Sequence, residues 1–158
     1  MPYGYSVIDF IRESNRIEGI VAREPYDEEI KATFDFLGAK KLNVPKVKAL
    51  VAAYAPGKLL RDKEGMDVRV GAHVPPAGGP LMYHKLEEIL DYINGNVVSP
   101  YEAHHEYETL HPFMDSNGRS GRAIWLWHMG GIAKAPLGFL HHFYYQALQD
   151  ARRIGTRS

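Results

Sequence analysis

"HPFMDSNGRSGR", residues 111–122, concentrates the polar chemistry of this chain between two apolar segments. Its twelve positions include one histidine, one aspartate, one asparagine, two glycines and two arginines. The apolar run that follows predicts a buried helix, and the free N–H groups and dipole at a helix N-terminus favour anions. We therefore expect an anion-binding site where this loop enters the helix.

The residues of the loop suit phosphate chemistry. The Asn117-Gly118 pair tolerates the left-handed conformation in which backbone amides converge on phosphate oxygens. Arg119 and Arg122 lie three positions apart, so both can clamp a polyphosphate from one helix face. Asp115 is a hard ligand for Mg²⁺, and His111 can accept a proton from an attacking hydroxyl. Together they provide what phosphoryl or nucleotidyl transfer requires.

Each of these residues also has an ordinary structural interpretation. A histidine before a proline is usually structural, an Asp-Ser-Asn-Gly run usually forms a turn, and two arginines at this spacing usually mark a solvated face. The functional prediction therefore depends on the order and spacing of the whole set.

Length and composition limit the other possibilities. A chain of 158 residues predicts a single domain, residues 1–158. Nineteen basic residues balance nineteen acidic ones, so no charge excess indicates a nucleic-acid or membrane-surface partner. The absence of cysteine excludes disulfides and thiolate chemistry. The N-terminus has early charges and no apolar core typical of a signal peptide, which predicts a cytoplasmic location.

Most of the chain has the apolar spacing of helices. In the first such segment Ile30, Phe34 and Leu37 share one face, and Gly38 follows as a stop signal. The motif "SPYE", residues 99–102, predicts a capping box at a helix start. The other helical segments are residues 47–54, 86–93, 103–110, 121–129 and 139–148. The fourth of these is apolar almost all round, so we expect it to be the central buried helix.

One region interrupts the helical pattern. In residues 61–80 apolar positions alternate briefly at Met66, Val68 and Val70, and then Pro and Gly dominate. This pattern predicts a short β-hairpin inserted into a helical domain. Long insertions of this type often form lids or binding loops.

The loop resembles the signature of Fic domains, HPFx(D/E)GNGRxxR, and only Ser116 departs from it, at a glycine position. Three further stretches resemble the family, in the same order along the chain. "SNRIEG" (14–19) resembles its inhibitory motif, (S/T)xxxE(G/N), and "VRVGAHVPP" (68–76) resembles its flap. "YYQAL" (144–148) resembles the tyrosine pair that lines its base pocket. The resemblance covers nearly the whole chain. It implies a mainly α Fic-type helical bundle, with a short β-hairpin flap inserted before the helices that lead to the loop.

The resemblance implies transfer of AMP from Mg·ATP to a Tyr, Thr or Ser hydroxyl of a protein, with release of pyrophosphate. His111 is then the general base, Asp115 holds Mg²⁺, Arg119 stabilises the leaving pyrophosphate and Arg122 contacts the γ-phosphate. Asn117 joins His111, Asp115 and Arg119 in the implied catalytic set. The implied ATP-binding residues are Ser116, Asn117, Gly118, Arg119, Arg122, Val70, Gly71, His73, Tyr144 and Tyr145. The two tyrosines also lie in an apolar stripe, so core packing is an equal alternative for them.

The resemblance also implies a partner and a regulator. The flap, Val70 to His73, is expected to pair its main chain with a target protein or with the enzyme itself. The inhibitory segment, residues 6–20, carries Ser14, Glu18 and Gly19 at the motif positions. Glu18 is expected to pair with Arg122 and so deprive the γ-phosphate of its partner. Without the resemblance, Ser14 and Glu18 indicate only a polar, solvated helix face.

Ser116 leaves alternatives open. Glycine at that position allows positive φ at little cost, whereas serine adds strain of about 1 kcal/mol if φ is positive there. The alternatives are transfer of phosphate or another nucleotide, removal of AMP, and a weakly active or non-catalytic ATP-binding module. Doc-type loops of the family carry lysine where Gly118 stands, which disfavours phosphate transfer. Arg152 stands where some relatives place an asparagine near the nucleotide, which affects the expected base pocket.

Overall fold

The computed structural model describes residues 5–135, which form a mainly helical domain. The helices are α1 Val7–Ile17, α2 Asp27–Leu37, α3 Val44–Tyr54, α4 Pro80–Asn94, α5 Pro100–Leu110 and α6 Asn117–Met129, with a 3₁₀ turn at Ile132–Lys134. The predicted helical segment 139–148, with Tyr144 and Tyr145, and the position of Arg152 lie outside the described residues.

The ends of the helices follow from the local sequence. Ser6 and Asp9 form a reciprocal capping box at the start of α1. The side chain of Ser99 accepts a hydrogen bond from the amide of Glu102 and so caps α5, as the SPYE motif predicts. Gly130, with φ of 101°, ends α6 in the left-handed conformation that glycine adopts freely.

Helix α6 confirms the prediction of a central buried helix. Its middle turn, Ala123 to Leu126, is at most 1% exposed to solvent. The core around it is formed by apolar faces of the other helices, including Val47 and Val51 of α3 and Leu86 of α4. None of the helices within residues 5–135 is long and apolar enough to cross a membrane.

The buried face of α2 differs from the predicted one. Phe34 is 54% exposed, whereas Glu29 and Thr33 are fully buried. Polar contacts explain this rotation: the Thr33 hydroxyl is 2.7 Å from the Tyr54 hydroxyl, and Glu29 forms a salt bridge with Arg23. The buried face of α2 therefore combines paired polar groups with Phe36, which is 4% exposed.

The insertion, residues 61–80, is less regular than predicted. Within the described residues it contains a single β-bridge, in which Val70 and His73 exchange backbone hydrogen bonds of 2.9 and 3.0 Å. Gly71, with φ of 59°, makes the tight turn between them. A hairpin with two regular strands stays a prediction.

A second β-bridge joins the insertion to the polar loop. Leu60 pairs with Phe113, and the amide of Arg61 donates to the carbonyl of Pro112 at 2.9 Å. The amide of Met114 donates to the carbonyl of Leu59, also at 2.9 Å. The start of the insertion therefore fixes the loop that carries the predicted site.

Candidate functional site

A pocket of about 400 Å³ lies at the N-terminal end of α6. The predicted site residues that line it are Glu18, Val70, His111, Asp115, Ser116, Asn117, Gly118 and Arg119. Ile20, Val68, Arg69 and Met114 also line it, and the sequence analysis did not assign them to the site. The structure therefore brings together the polar loop, the turn of the insertion and the end of α1.

The loop has an unusual backbone that directs its groups toward this pocket. His111 caps the end of α5 in the left-handed conformation, with φ of 52°. The Asn117 side chain accepts from the amide of Phe113 and donates to its carbonyl, both at 2.8 Å. Asn117 thus fixes the shape of the loop with its side chain, and Phe113, 1% exposed, anchors it in the core.

The His111 ring is a neutral base near pH 7. Burial lowers its pKa to about 4, and the positive charges of Arg61 and His73 act in the same direction. The carbonyl of Glu108 and the carboxylate of Asp115 oppose this shift but do not cancel it. A neutral imidazole that lines a pocket can accept a proton from a hydroxyl.

Asp115 is exposed at the mouth of the pocket, and one of its carboxylate oxygens accepts from the Ser116 amide at 2.7 Å. Within residues 5–135 no group of three or more acidic, histidine or cysteine side chains could hold a metal ion by itself. Mg²⁺ in nucleotide sites is commonly held by one or two carboxylates together with substrate phosphates. A single exposed carboxylate therefore fits a metal that arrives with a nucleotide.

Ser116 adopts the left-handed conformation in which a serine is strained. It has φ of 68° and ψ of 22° immediately before α6. Its carbonyl accepts from the amide and hydroxyl of Ser120. Its own hydroxyl is buried and has no hydrogen-bond partner among the described residues.

Arg119 is buried and held by three other helices. Its Nη2 donates to the Tyr54 carbonyl at 3.0 Å. Its Nη1 lies 3.4 Å from Glu29 Oε2 and 3.4 Å from Asn15 Oδ1. The guanidinium therefore links α6 to α1, α2 and α3, and its contact with a pyrophosphate stays a prediction.

Arg122 forms the contact that the inhibitory motif predicts. Its Nη2 lies 2.7 Å from Glu18 Oε2, and both side chains are largely buried. Its Nε donates to the Ser14 hydroxyl at 2.8 Å, and Nη2 also donates to the Ser14 carbonyl at 3.1 Å. Ser14 lies within α1 and Glu18 at its C-terminal cap, so this helix is fastened to α6 by a charge-assisted network.

The Glu18 carboxylate occupies the anion-favouring end of α6. A Cβ atom placed on Gly118 would lie only 2.5 Å from Glu18 Oε2, so the carboxylate packs directly on the first turn of the helix. Among the described residues Glu18 lines the pocket, whereas Arg122 does not. The carboxylate therefore stands between Arg122 and the space that a ligand would occupy.

The remaining predicted residues are placed less directly. Gly71 and His73 form the turn of the insertion but are not among the lining residues of the described pocket. The His73 ring nitrogen Nε2 is 3.0 Å from the Thr109 carbonyl, which ties this turn to the end of α5. Gly19, with φ of 83°, follows the cap of α1.

Three residues around the site were missed by sequence reasoning: Arg61, Glu29 and Asn15. All three are buried and contact the loop or its arginines. Their positions 15, 29 and 61 lie 50 to 104 residues before their partners in the chain. Spacing along the sequence carries no signal for contacts of this kind.

The fold and the site define the class of this protein: a helical domain with an anion-favouring polar loop at the start of its buried central helix. Residues 42–129 match the Fic/DOC family, which is more than half of the chain. The chain belongs to the Fic/DOC family, whose members commonly transfer nucleoside monophosphate groups. The match includes the insertion and the polar loop, whereas α1 with Glu18 lies before it.

Replacement of Ser116 by glycine should stabilise the fold. Ser116→Gly removes the cost of a side chain at φ of 68° and a buried unpaired hydroxyl, so we expect the free energy of unfolding to rise by about 1 kcal/mol. Urea denaturation measures this. Ser120→Gly, inside α6, is the matched control and should lower stability. A loss of stability in Ser116→Gly would show that the serine is better accommodated than its backbone indicates.

The His111 ring should titrate far below the ordinary value of 6.5. NMR titration of the protein without nucleotide should give a midpoint near pH 4, with His111→Ala used to assign the resonance. Because the folded pKa is lowered, the stabilising contribution of neutral His111 is present above pH 6.5 and is lost as the pH falls toward 4. A midpoint at or above 6.5 would contradict the buried environment described here.

Proposed function

We propose that this protein is a protein adenylyltransferase that transfers AMP from Mg·ATP to a Tyr, Thr or Ser hydroxyl, and that Glu18 inhibits it in cis. The observation that carries the proposal is the 2.7 Å contact between Glu18 and Arg122 at the end of the pocket. A buried salt bridge adds little net stability by itself. Its presence at this place is explained if Arg122 binds the nucleotide anion whenever the Glu18 carboxylate leaves.

The chemistry follows from the residues around the pocket. Neutral His111 takes the proton of the target hydroxyl, and the hydroxyl oxygen then attacks the α-phosphorus of ATP. The bond from the α-phosphorus to the oxygen that bridges to the β-phosphorus breaks, and pyrophosphate leaves with that oxygen. Asp115 would hold Mg²⁺, which neutralises charge on the phosphates. The amides at the start of α6, from Asn117 onward, favour the phosphate anions.

Inhibition arises because the Glu18 carboxylate and the γ-phosphate of ATP would bind to the same cation, Arg122, and to the same end of α6. The Glu18 carboxylate binds Arg122 and packs against Gly118. A γ-phosphate that binds Arg122 requires the same place, so the two anions exclude each other. When Glu18 is removed, Arg122 stays anchored by its two contacts with Ser14 and is available to the nucleotide.

The turn of the insertion offers a main-chain edge beside His111, and a segment of the target protein would pair with that edge. Val70 lines the pocket together with His111. In the insertion a single bridge pairs Val70 with His73, which leaves the outer edge of this turn open for β-augmentation. Recognition through the backbone allows different target proteins, and modification of the enzyme itself, at this edge.

The test compares wild type with Glu18→Gly, each incubated with Mg·ATP and analysed by intact-protein mass spectrometry for added AMP or phosphate. Because the carboxylate that pairs with Arg122 is removed, we expect Glu18→Gly to modify itself or an added protein at least about tenfold faster. Glu18→Gly/His111→Ala should lose this gain.

Glu28→Gly is the matched control, since Glu28 is exposed on α2 and lies away from the pocket; it should behave as wild type. An equal rate in wild type and Glu18→Gly would refute inhibition by Glu18. Added phosphate in place of AMP would replace the proposed reaction. Nucleotide binding without any modification would indicate a non-catalytic module. Of the two alternatives, the strained Ser116 favours such a module over an enzyme that transfers phosphate or another nucleotide.

A further inference from the structure

Arg61 is fully buried and hydrogen-bonds to four backbone carbonyls. Its Nε donates to His111 at 2.8 Å and its Nη2 to Leu110 at 2.9 Å. Its Nη1 donates to Met66 at 3.0 Å and to Pro76 at 2.9 Å. A buried guanidinium held entirely by main-chain acceptors is costly unless those acceptors are fixed in place.

The four carbonyls belong to two separate parts of the structure. Leu110 and His111 form the C-terminal end of α5, where the last carbonyls lack partners within the helix and a cation is favoured by the helix dipole. Met66 and Pro76 flank the turn of the insertion on its two sides. We define the flap segment as residues 66–76. The guanidinium of Arg61 therefore joins the backbone of His111 to both ends of this segment.

The main chain of Arg61 repeats this connection. Its amide donates to the Pro112 carbonyl, and its carbonyl accepts from the Gly79 amide, both at 2.9 Å. The charge of Asp67 acts on the guanidinium, but the described hydrogen bond of this carboxylate is to the Gly78 amide. Arg61 thus acts through the direction of its planar donors, which a lysine ammonium cannot reproduce.

We propose that Arg61 is a positioning residue that sets the flap segment relative to the His111 ring, so that a target hydroxyl held by the flap meets the base. The proposal rests on the proposed function for its kinetic consequence, although the mechanical coupling can be measured without it. Arg61 makes no described contact with Gly118 or Arg122 at the anion-binding end of α6. Its loss should therefore impair transfer more strongly than it weakens nucleotide binding.

The first experiment is hydrogen–deuterium exchange of Arg61→Lys against wild type. We expect exchange to accelerate about tenfold in the flap segment and in residues 110–114 together, while α2 and α3 keep their protection. Lys63→Arg is the matched control, because Lys63 is exposed in the same insertion, its side chain has no described hydrogen bond and it does not line the described pocket. It should change neither segment.

A second variant disturbs the connection without touching Arg61. A Cβ atom on Gly78 would lie 2.5 Å from the Met66 carbonyl oxygen and 2.9 Å from the Lys63 carbonyl oxygen, so Gly78→Ala must shift the backbone at residue 78 or at these carbonyls, one of which is an acceptor of Arg61. If the two parts are coupled, exchange also accelerates in residues 110–114 of this variant. This arm decides the question even if Arg61→Lys fails to fold.

The kinetic experiment places Arg61→Lys in the Glu18→Gly background. The kcat of AMP transfer should fall about 10-fold to 100-fold, because small displacements of reacting groups have effects of this size, while the Kd for a fluorescent ATP analogue should rise by a clearly smaller factor. Exchange that rises in only one segment or through all helices, or a kcat and Kd that change in proportion, would overturn the proposal. If Glu18→Gly itself transfers no AMP, the proposed function fails and the exchange experiments still decide the coupling.

Discussion

The structure around the pocket is governed by the burial of three guanidinium groups. Arg61, Arg119 and Arg122 are at most 7% exposed, and a buried cation is tolerated only with well-placed partners. Arg61 donates hydrogen bonds to carbonyls of the loop and of the insertion. Arg119 pairs with Glu29 and donates to the Tyr54 carbonyl. Arg122 donates to Ser14 and pairs with Glu18. These partners lie on helices α1, α2 and α3, on the insertion and on the polar loop, so the three arginines fix how these parts meet.

Helix α1 is consequently part of the site, and in the proposed function it is also the regulator of the site. It supplies Asn15 to Arg119 and Ser14 with Glu18 to Arg122. Only the Glu18 contact lies where a ligand would compete, because Glu18 lines the pocket and Ser14 does not. This arrangement explains how one carboxylate can act as an inhibitor while the remaining contacts keep α1 in place.

The sequence predicted those features that depend on local order. Helix ends, the start of α5 at Ser99, the buried α6 and the Glu18–Arg122 contact were accessible from spacing and from the family motifs, whereas α3, α4 and α6 begin three to six residues before the predicted segments. The buried polar face of α2 was not accessible, since Glu29 is stabilised there by arginines that only the tertiary fold brings near. Arg61 was missed for the same reason. Asn117 was expected at the phosphates, but its side chain is committed to the Phe113 backbone, a local bond that spacing does not reveal.

The central claim is that Glu18 inhibits by occupying Arg122. The most direct measurement is the rate of AMP transfer in a cycle of four proteins: wild type, Glu18→Gly, Arg122→Ala and the double variant. The account predicts that Glu18→Gly accelerates transfer at least about tenfold when Arg122 is present and gives no comparable gain when Arg122 is alanine. An equal gain in both backgrounds would contradict it, because Glu18 would then inhibit by a route that does not involve Arg122.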